Sequence, residues 1–191
     1  PPKANPDEPA IETMSAVLGS DFGSRLNMNL REDKHWAYGA FSFIRDARGP
    51  RPFLTYAPVE TDRTTEAAVE VLRELKGITG DRPVEPDELE RAKASLTLTL
   101  AGSWETMGAL AGSIDDIVAF GLDDRYFDSY AATIRAQTAA SVTGAARAAV
   151  TPDHLVWIFV GDREKIEAPL RQLGLGEMQF VDGDGRPVPA S

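Results

Sequence analysis

The sequence predicts an α+β fold in which helices outnumber strands, and two repeating patterns carry that prediction. Several segments repeat apolar residues every three or four positions, as Ile11 and Met14 do, which is typical of a helix with one face on a core. Around 36–46 the repeat changes to a period of two, with Phe41 and Phe43 on one side, which is typical of a strand. We therefore expect three to four strands against seven helical segments.

The first half of the chain is expected to hold helical segments and a β-hairpin. Glycines at 19–23 break the first helix, the run DARGPR has the composition of a hairpin loop, and Gly77 ends the last helix. In order, these elements are a helix at 8–18, a helical turn through Leu26 and Leu30, strands near 36–46 and 52–59, and a helix at 64–76.

The second half is expected to be mostly helical. Pro86 suits the first turn of a long helix and Thr138 suits the cap of a later one, whereas glycines within 102–120 predict a kink or break. The run HLVWIFV is apolar on both faces and predicts a central buried strand. In order, these elements are helices at 86–101, 124–135 and 139–149, the strand at 154–160, a helix ending near 173, and a short MQFV strand at 178–181.

Length and charge indicate one acidic globular domain. We expect residues 1–191 to form a single domain, with the Pro-rich segment 1–7 at its boundary. The formal net charge is −10 and there is no basic cluster, which argues against partners such as nucleic acids and anionic membranes. No apolar run approaches the length of about 18 residues that a membrane-spanning helix needs.

Arg31 and Tyr38 are the candidate functional residues. Arg31 stands in the last turn of a helix, seven residues before Tyr38 in the following strand, so the reversal of the chain can bring them to one corner of the sheet. A guanidinium beside a phenol can grip a carbonyl or carboxylate group. Two structural interpretations stay open: Arg31 can form a local ion pair, and Tyr38 can be a half-buried packing residue.

The period of two also predicts which way these strand residues point. Trp36 and Tyr38 share one side, opposite Phe41 and Phe43. We expect the phenylalanines to pack under the helices, and Tyr38 to project from the open face of the sheet with the Arg31 guanidinium nearby.

The segment LGSDFGSRLNMNLREDKHWAYGAFSF resembles the C-terminal-type domain of the pitrilysin/insulinase zinc metallopeptidases. Ser20 stands where that family has a second glycine, and a weaker likeness continues through PDELERAKASL at 86–96, SWET at 103–106 and LVWIFVGD at 155–162. The residues that match the family pattern are Leu18, Gly19, Phe22, Ser24, Arg25, Leu26, Leu30, Arg31, Glu32, Lys34 and Tyr38.

The zinc motif of that family is absent from this chain. The family binds zinc through an H-x-x-E-H motif, but the two histidines here, His35 and His154, lie far apart and the chain has no cysteine. Zinc sites in proteins usually need such nitrogen or sulfur ligands. We therefore expect no metal site and no cofactor in this chain.

The resemblance implies a fold and a role. The fold is an antiparallel sheet of about four strands covered by helices on one face, with a first strand expected upstream of Pro1. The role is that of the non-metal half of an endopeptidase, whose zinc is held by a separate domain or subunit. Tyr38 would hydrogen-bond the scissile carbonyl and Arg31 would orient the peptide, so both would be catalytic and substrate-binding residues.

The implied partners are the zinc-bearing domain or subunit, a peptide substrate bound in extended form by strand addition, and a second copy paired through an open sheet edge. Exported bacterial relatives favour the periplasm without fixing the compartment. One alternative is a non-catalytic scaffold of the same family, and another is an independent small-molecule binding module. An H-x-x-E-H motif elsewhere in the full-length gene, or in an adjacent subunit, would favour the peptidase.

Overall fold

The computed structural model describes residues 1–100 and 102–189, and it confirms the α+β fold. Wider π-helical turns at Ala16–Ser20 and Met28–Asp33 extend the first two helices. Short 3₁₀ turns stand at Thr61–Arg63 and Gly102–Trp104. The elements are α1 (Glu8–Ser15), α2 (Arg25–Asn27), β1 (Phe41–Ile44), β2 (Phe53–Tyr56), α3 (Thr64–Thr79), α4 (Pro86–Leu98), α5 (Met107–Phe120), α6 (Tyr126–Arg135), α7 (Ala139–Ala149) and α8 (Arg163–Gln172).

Most helix boundaries agree with the sequence because capping residues mark them. Thr138 and Ser141 form a capping box, and α7 covers the predicted residues. The break expected within 102–120 is the short 3₁₀ turn that precedes α5. No helix in the described part of the chain is long and apolar enough to cross a membrane.

The core lies between the helices and one face of the hairpin. Helix α1 packs against α7, and α3 packs against α7 and α8. Burying an aliphatic side chain of this kind contributes about 1.5–3 kcal/mol. The large apolar side chains that are almost fully buried are Met14, Leu18, Leu26, Leu30, Leu75, Ile78, Ile134, Val142 and Val150.

Strands β1 and β2 form an antiparallel hairpin, but the residues that face the helices are not the predicted ones. Ser42 and Ala40 are fully buried against the helices, whereas Phe43 is 43% exposed, so the expectation that Phe41 and Phe43 pack under the helices is wrong. A Cβ atom on Gly19 would overlap the backbone and the Oγ of Ser42. The π-helical turn and the strand approach so closely that only small side chains fit on this face.

The opposite face of the hairpin is open and apolar. Phe41 pairs with Tyr56 and Phe43 pairs with Leu54, and side chains of directly paired residues stand on one face of a sheet. Leu54 is 40% exposed and Tyr56 is 61% exposed. We call these four residues the open face.

The segment 155–160 corrects a second expectation. Its residues alternate between half-buried and exposed, but the segment is not a central buried strand. Leu155 and Trp157 pack against the core, while Val156, Ile158 and Val160 are 90%, 82% and 95% exposed. Within the described residues no strand pairs with it, so its second apolar side stays uncovered.

The sheet of the described chain therefore has two strands instead of about four. The predicted strand at 178–181 contributes only one isolated bridge, from Val181 to Pro187. The hairpin and helices are present as expected, while the two later strands lack a neighbouring strand to pair with.

Candidate functional site

Arg31 lies in the π-helical turn that extends α2, and the chain reverses directly after it. The Lys34 amide donates to the Asn29 carbonyl at 3.0 Å, and the Trp36 amide donates to the Leu30 carbonyl at 2.9 Å. His35 adopts φ 57°, the left-handed region that few residues other than glycine enter and that histidine tolerates better than most. This turn leads the chain from Arg31 toward Tyr38.

The Arg31 side chain makes two local contacts and stays partly exposed. Its Nη1 lies 2.9 Å from Glu32 Oε1, and the arginine side chain is 39% exposed. Its guanidinium carbon lies 4.7 Å from the centroid of the Phe22 ring. An exposed ion pair contributes about 0–1 kcal/mol, so an incoming anionic or carbonyl group can compete for this guanidinium at little cost.

Tyr38 is 98% exposed and lies outside the regular strand. It occupies the irregular stretch between the Ala37–Val59 bridge and β1. Its exposure therefore does not follow from strand alternation, because β1 begins only at Phe41. Among the described residues no hydrogen bond joins Tyr38 to Arg31, and the phenol faces solvent.

The backbone on both sides of Tyr38 is nevertheless fixed. Before it, the Glu60 amide donates to the Trp36 carbonyl at 3.1 Å. After it, the fully buried Asn27 binds both backbone groups of Ala40, donating at 2.7 Å and accepting at 2.9 Å. Tyr38 thus sits on a short loop that is anchored at both ends.

The sequence analysis missed the anchoring role of Asn27. The one available signal was an asparagine between the apolar helix positions Leu26 and Leu30, because asparagine is a poor helix residue that often bonds nearby backbone. Gly39 also belongs to this loop, since a Cβ there would lie 2.8 Å from the Phe41 ring.

A bidentate ion pair ties the start of this region to α4. Arg25 Nε donates to Glu88 Oε1 at 2.7 Å and Arg25 Nη2 donates to Oε2 at 2.6 Å. Burial would raise the pKa of the Glu88 carboxyl, but the hydrogen bonds from Arg25 and from the Glu85 amide, with the charge of Arg25, outweigh burial and hold that pKa below its usual range. The pair therefore stabilises the fold above the ordinary glutamate pKa and loses this contribution as the pH falls through the lower, folded-state pKa.

A second charge network fixes the hairpin loop to α1. Arg51 is 1% exposed and binds the buried Glu8 and the Asp46 carboxylate, the latter at 2.7 Å. Lys3 Nζ lies 3.2 Å from both Glu8 and Asp46 and 2.5 Å from Glu12. Burial alone would lower the pKa of Lys3, but the carboxylates outweigh it and raise that pKa.

The candidate metal ligands do not converge. Across residues 1–100 and 102–189 no group of three or more histidine, aspartate or glutamate side chains is placed to hold a metal ion. The His35 Nδ1 atom lies 3.1 Å from the Arg31 carbonyl oxygen, and His154 is exposed at the start of the unpaired segment 155–160.

Comparison with protein-family models identifies the family. The model described as the peptidase M16 inactive domain matches residues 1–96, which is half of the chain and includes α1 to α3 and most of α4. The chain belongs to the peptidase M16 family. The matching model is that of the family's inactive domain, which implies no catalytic metal site in the chain itself.

Solved structures of M16 proteins share the fold. The peptidase M16 inactive domain from Pseudomonas fluorescens superposes with a TM-score of 0.71 at 19% identity, over 79% of this chain and 36% of that one. The inactive peptidase domain of a candidate zinc protease from Bordetella parapertussis gives a TM-score of 0.64 at 20% identity, over 78% of this chain and 80% of that one.

A chain of complex III from Candida albicans also superposes, with a TM-score of 0.63 at 14% identity over 77% of this chain and 37% of that one. No curated protein sequence matches this M16 domain. The domain spans little more than a third of the Pseudomonas protein.

Proposed function

We propose that this M16 domain is the substrate-binding, non-metal half of a zinc-dependent endopeptidase that acts on peptides or unfolded polypeptides. A separate domain or subunit would hold the zinc, and Arg31 and Tyr38 would face the shared chamber. The observation that carries the proposal is the position of Tyr38, whose side chain is 98% exposed on a loop whose backbone is anchored on both sides.

The chemistry of the two side chains fits this role. A phenol donates one hydrogen bond and can stabilise a carbonyl oxygen as it gains negative charge. The guanidinium presents several donors in a rigid fork that suits carbonyl and carboxylate oxygens. Because Tyr38 is held without using its hydroxyl, that hydroxyl is available for a substrate.

The surroundings favour an extended, partly apolar peptide. The open face presents Phe43, Leu54 and Tyr56, which are 43%, 40% and 61% exposed. The segment 155–160 adds exposed apolar side chains and backbone groups without a strand partner in the described chain. An extended peptide can satisfy such backbone groups by strand addition, and a second copy of the domain could pair there to form a homodimer.

The isolated domain is expected to bind no stoichiometric zinc and to cleave no peptide. The physical reason is the lack of converging nitrogen or sulfur ligands in the described chain. Elemental analysis of the purified domain checks the metal, and a fluorogenic peptide assay checks cleavage. Adding the zinc-bearing half should restore cleavage; one tightly bound zinc per isolated domain would contradict the proposal.

An Arg31→Ala substitution is expected to lower both turnover and apparent peptide affinity of the assembled peptidase, with little change in stability. The Arg31 side chain is 39% exposed, and within the described residues its ion pair is with the exposed Glu32, so few folding contacts are lost. Steady-state kinetics separate kcat from KM, and thermal unfolding checks stability.

Arg63→Ala provides a matched control for Arg31. Arg63 is also an exposed arginine that lies over an aromatic ring, with its guanidinium carbon 5.8 Å from the Trp36 ring, and its side chain is 47% exposed. If both substitutions change the kinetics equally, Arg31 has no specific role with the substrate.

The alternative is a non-catalytic scaffold role. The description of the matching family model as an inactive domain is the observation that favours this alternative. If the full-length gene encodes no H-x-x-E-H motif and no adjacent subunit carries one, the scaffold role becomes the better-supported function.

A further inference from the structure

Helix α5 carries an apolar stripe that nothing in the described chain covers. Met107, Leu110, Ile114 and Val118 recur every three or four residues and therefore lie along one side of the helix. Their exposed fractions are 82%, 43%, 56% and 66%. No residue of α5 is buried, although amphipathic helices of globular proteins normally place such a stripe on a core. We call these four residues the α5 stripe.

Hydrogen bonds and caps fix the backbone of α5, although the side chains of the α5 stripe are exposed. Thr106 caps the start of α5 by accepting from the Ala109 amide at 3.1 Å, and Gly121 ends the helix in the left-handed conformation. The Arg48 guanidinium donates to the Val118 carbonyl at 2.7 Å. The other side of the helix rests on Trp104, whose Nε1 donates to Ser113 Oγ at 2.9 Å. The stripe is therefore preorganised for a partner.

The spacing and the charge define that partner. Apolar residues separated by three and four positions form the seam that a second helix packs into as knobs into holes. The helix carries Asp115 and Asp116 but no basic residue, and neither aspartate forms an ion pair within the described chain. Asp115 follows Ile114 and lies at the edge of the stripe.

We infer that the α5 stripe is a docking surface for a basic amphipathic helix of a partner protein. A second copy of this chain is a poorer match because α5 would bring only carboxylates to its own copy, within domains of net charge −10. The seam from 107 to 118 extends over about 17 Å of helix, so a partner helix of about three turns covers it. The inference is independent of Arg31, Tyr38 and the proposed peptidase role.

Fluorescence anisotropy of labelled synthetic peptides tests the inference on the full 191-residue chain. One three-heptad peptide has Leu at the a and d positions and Lys at the flanking positions; its counterpart has Glu in place of Lys. We expect the basic peptide to bind at least about 10-fold tighter than the acidic one at low salt, and the difference to shrink as salt screens the charges.

Variants of the stripe make the test specific. The double variant Leu110→Gln, Ile114→Gln removes apolar contact area while keeping the helix. It should weaken the binding of the basic peptide by at least about 10-fold. Asp115→Asn should weaken the binding of the basic peptide by about 2- to 5-fold at low salt. Val69→Gln is the matched control, because Val69 is an apolar residue on α3 that is 47% exposed. This substitution should leave the affinity for the basic peptide unchanged.

Circular dichroism and thermal unfolding verify that the variants remain folded. If the double variant has a lower helix content than wild type, the single variant Val118→Gln, at the end of α5, is used instead. It should still weaken the binding of the basic peptide. Equal binding of the basic and acidic peptides, or unchanged binding by the stripe variants, would overturn the inference. The inference would also be overturned if the wild-type chain formed a dimer and the stripe variants were monomeric, since the occupant would then be a second copy.

Discussion

A Tyr38→Phe substitution is expected to lower the turnover of the peptidase, assembled with its zinc-bearing half, by about 10-fold or more. A donor that acts mainly in the transition state affects kcat more than substrate affinity, and losing one such donor typically costs about 10²–10³ in rate. Stability should not change, because the phenol is 98% exposed. Steady-state kinetics with a quenched fluorescent peptide measure the effect.

Tyr56→Phe is the matched control for this prediction. Tyr56 is a second exposed tyrosine, 61% accessible, on β2 of the same hairpin. Its substitution removes the same atom from the open face without touching the anchored loop, so any loss should appear in KM, and kcat should stay within about 2-fold of wild type. Unchanged turnover in the Tyr38→Phe enzyme would return Tyr38 to the role of an ordinary surface residue.

The helices could be predicted closely because their signals are local. Thr138 and Ser141 mark the start of α7 within four residues of sequence, and α7 spans the predicted 139–149. Pro86 likewise stands at the predicted start of α4. Caps and apolar periodicity act over one or two turns, so sequence alone suffices to place such elements.

The face of β1 could not be predicted because it depends on a distant contact. A period of two shows that Ser42 and Phe43 point in opposite directions, but not which of them faces the helices. That choice follows from the close approach of Gly19 to Ser42, which brings together two positions far apart in the chain. The failed prediction for 155–160 has a similar cause, since an apolar run cannot specify which strand will pair with it.

The candidate site was also predicted only in part. Arg31 and Tyr38 were singled out by their place where a helix reverses into a strand and by the family pattern, and their roles remain predictions. The residue that anchors the Tyr38 loop, Asn27, reaches Ala40 across 13 positions, and no periodic pattern encodes such a contact.

An Arg51→Met substitution is expected to lower the free energy of unfolding by about 3–5 kcal/mol, the range typical when one partner of a buried ion pair is removed. Arg51 is 1% exposed and Glu8 is 3% exposed, so the substitution leaves the buried Glu8 carboxylate with Lys3, 3.2 Å away, as its remaining cation. Methionine keeps most of the aliphatic stem, so the lost charge dominates. Urea unfolding monitored by circular dichroism gives the change.

Two further variants separate charge from packing at this network. Arg45→Met is the control, because Arg45 follows β1 on the same hairpin and is exposed; it should change the unfolding free energy by less than about 0.5 kcal/mol. Adding Glu8→Gln to Arg51→Met should recover part of the loss, because the stranded carboxylate is then gone and the two effects are coupled. A loss below about 1 kcal/mol for Arg51→Met would mean that Lys3, 3.2 Å from Glu8, compensates the carboxylate alone. Arg51 would then be dispensable for fixing the hairpin to α1.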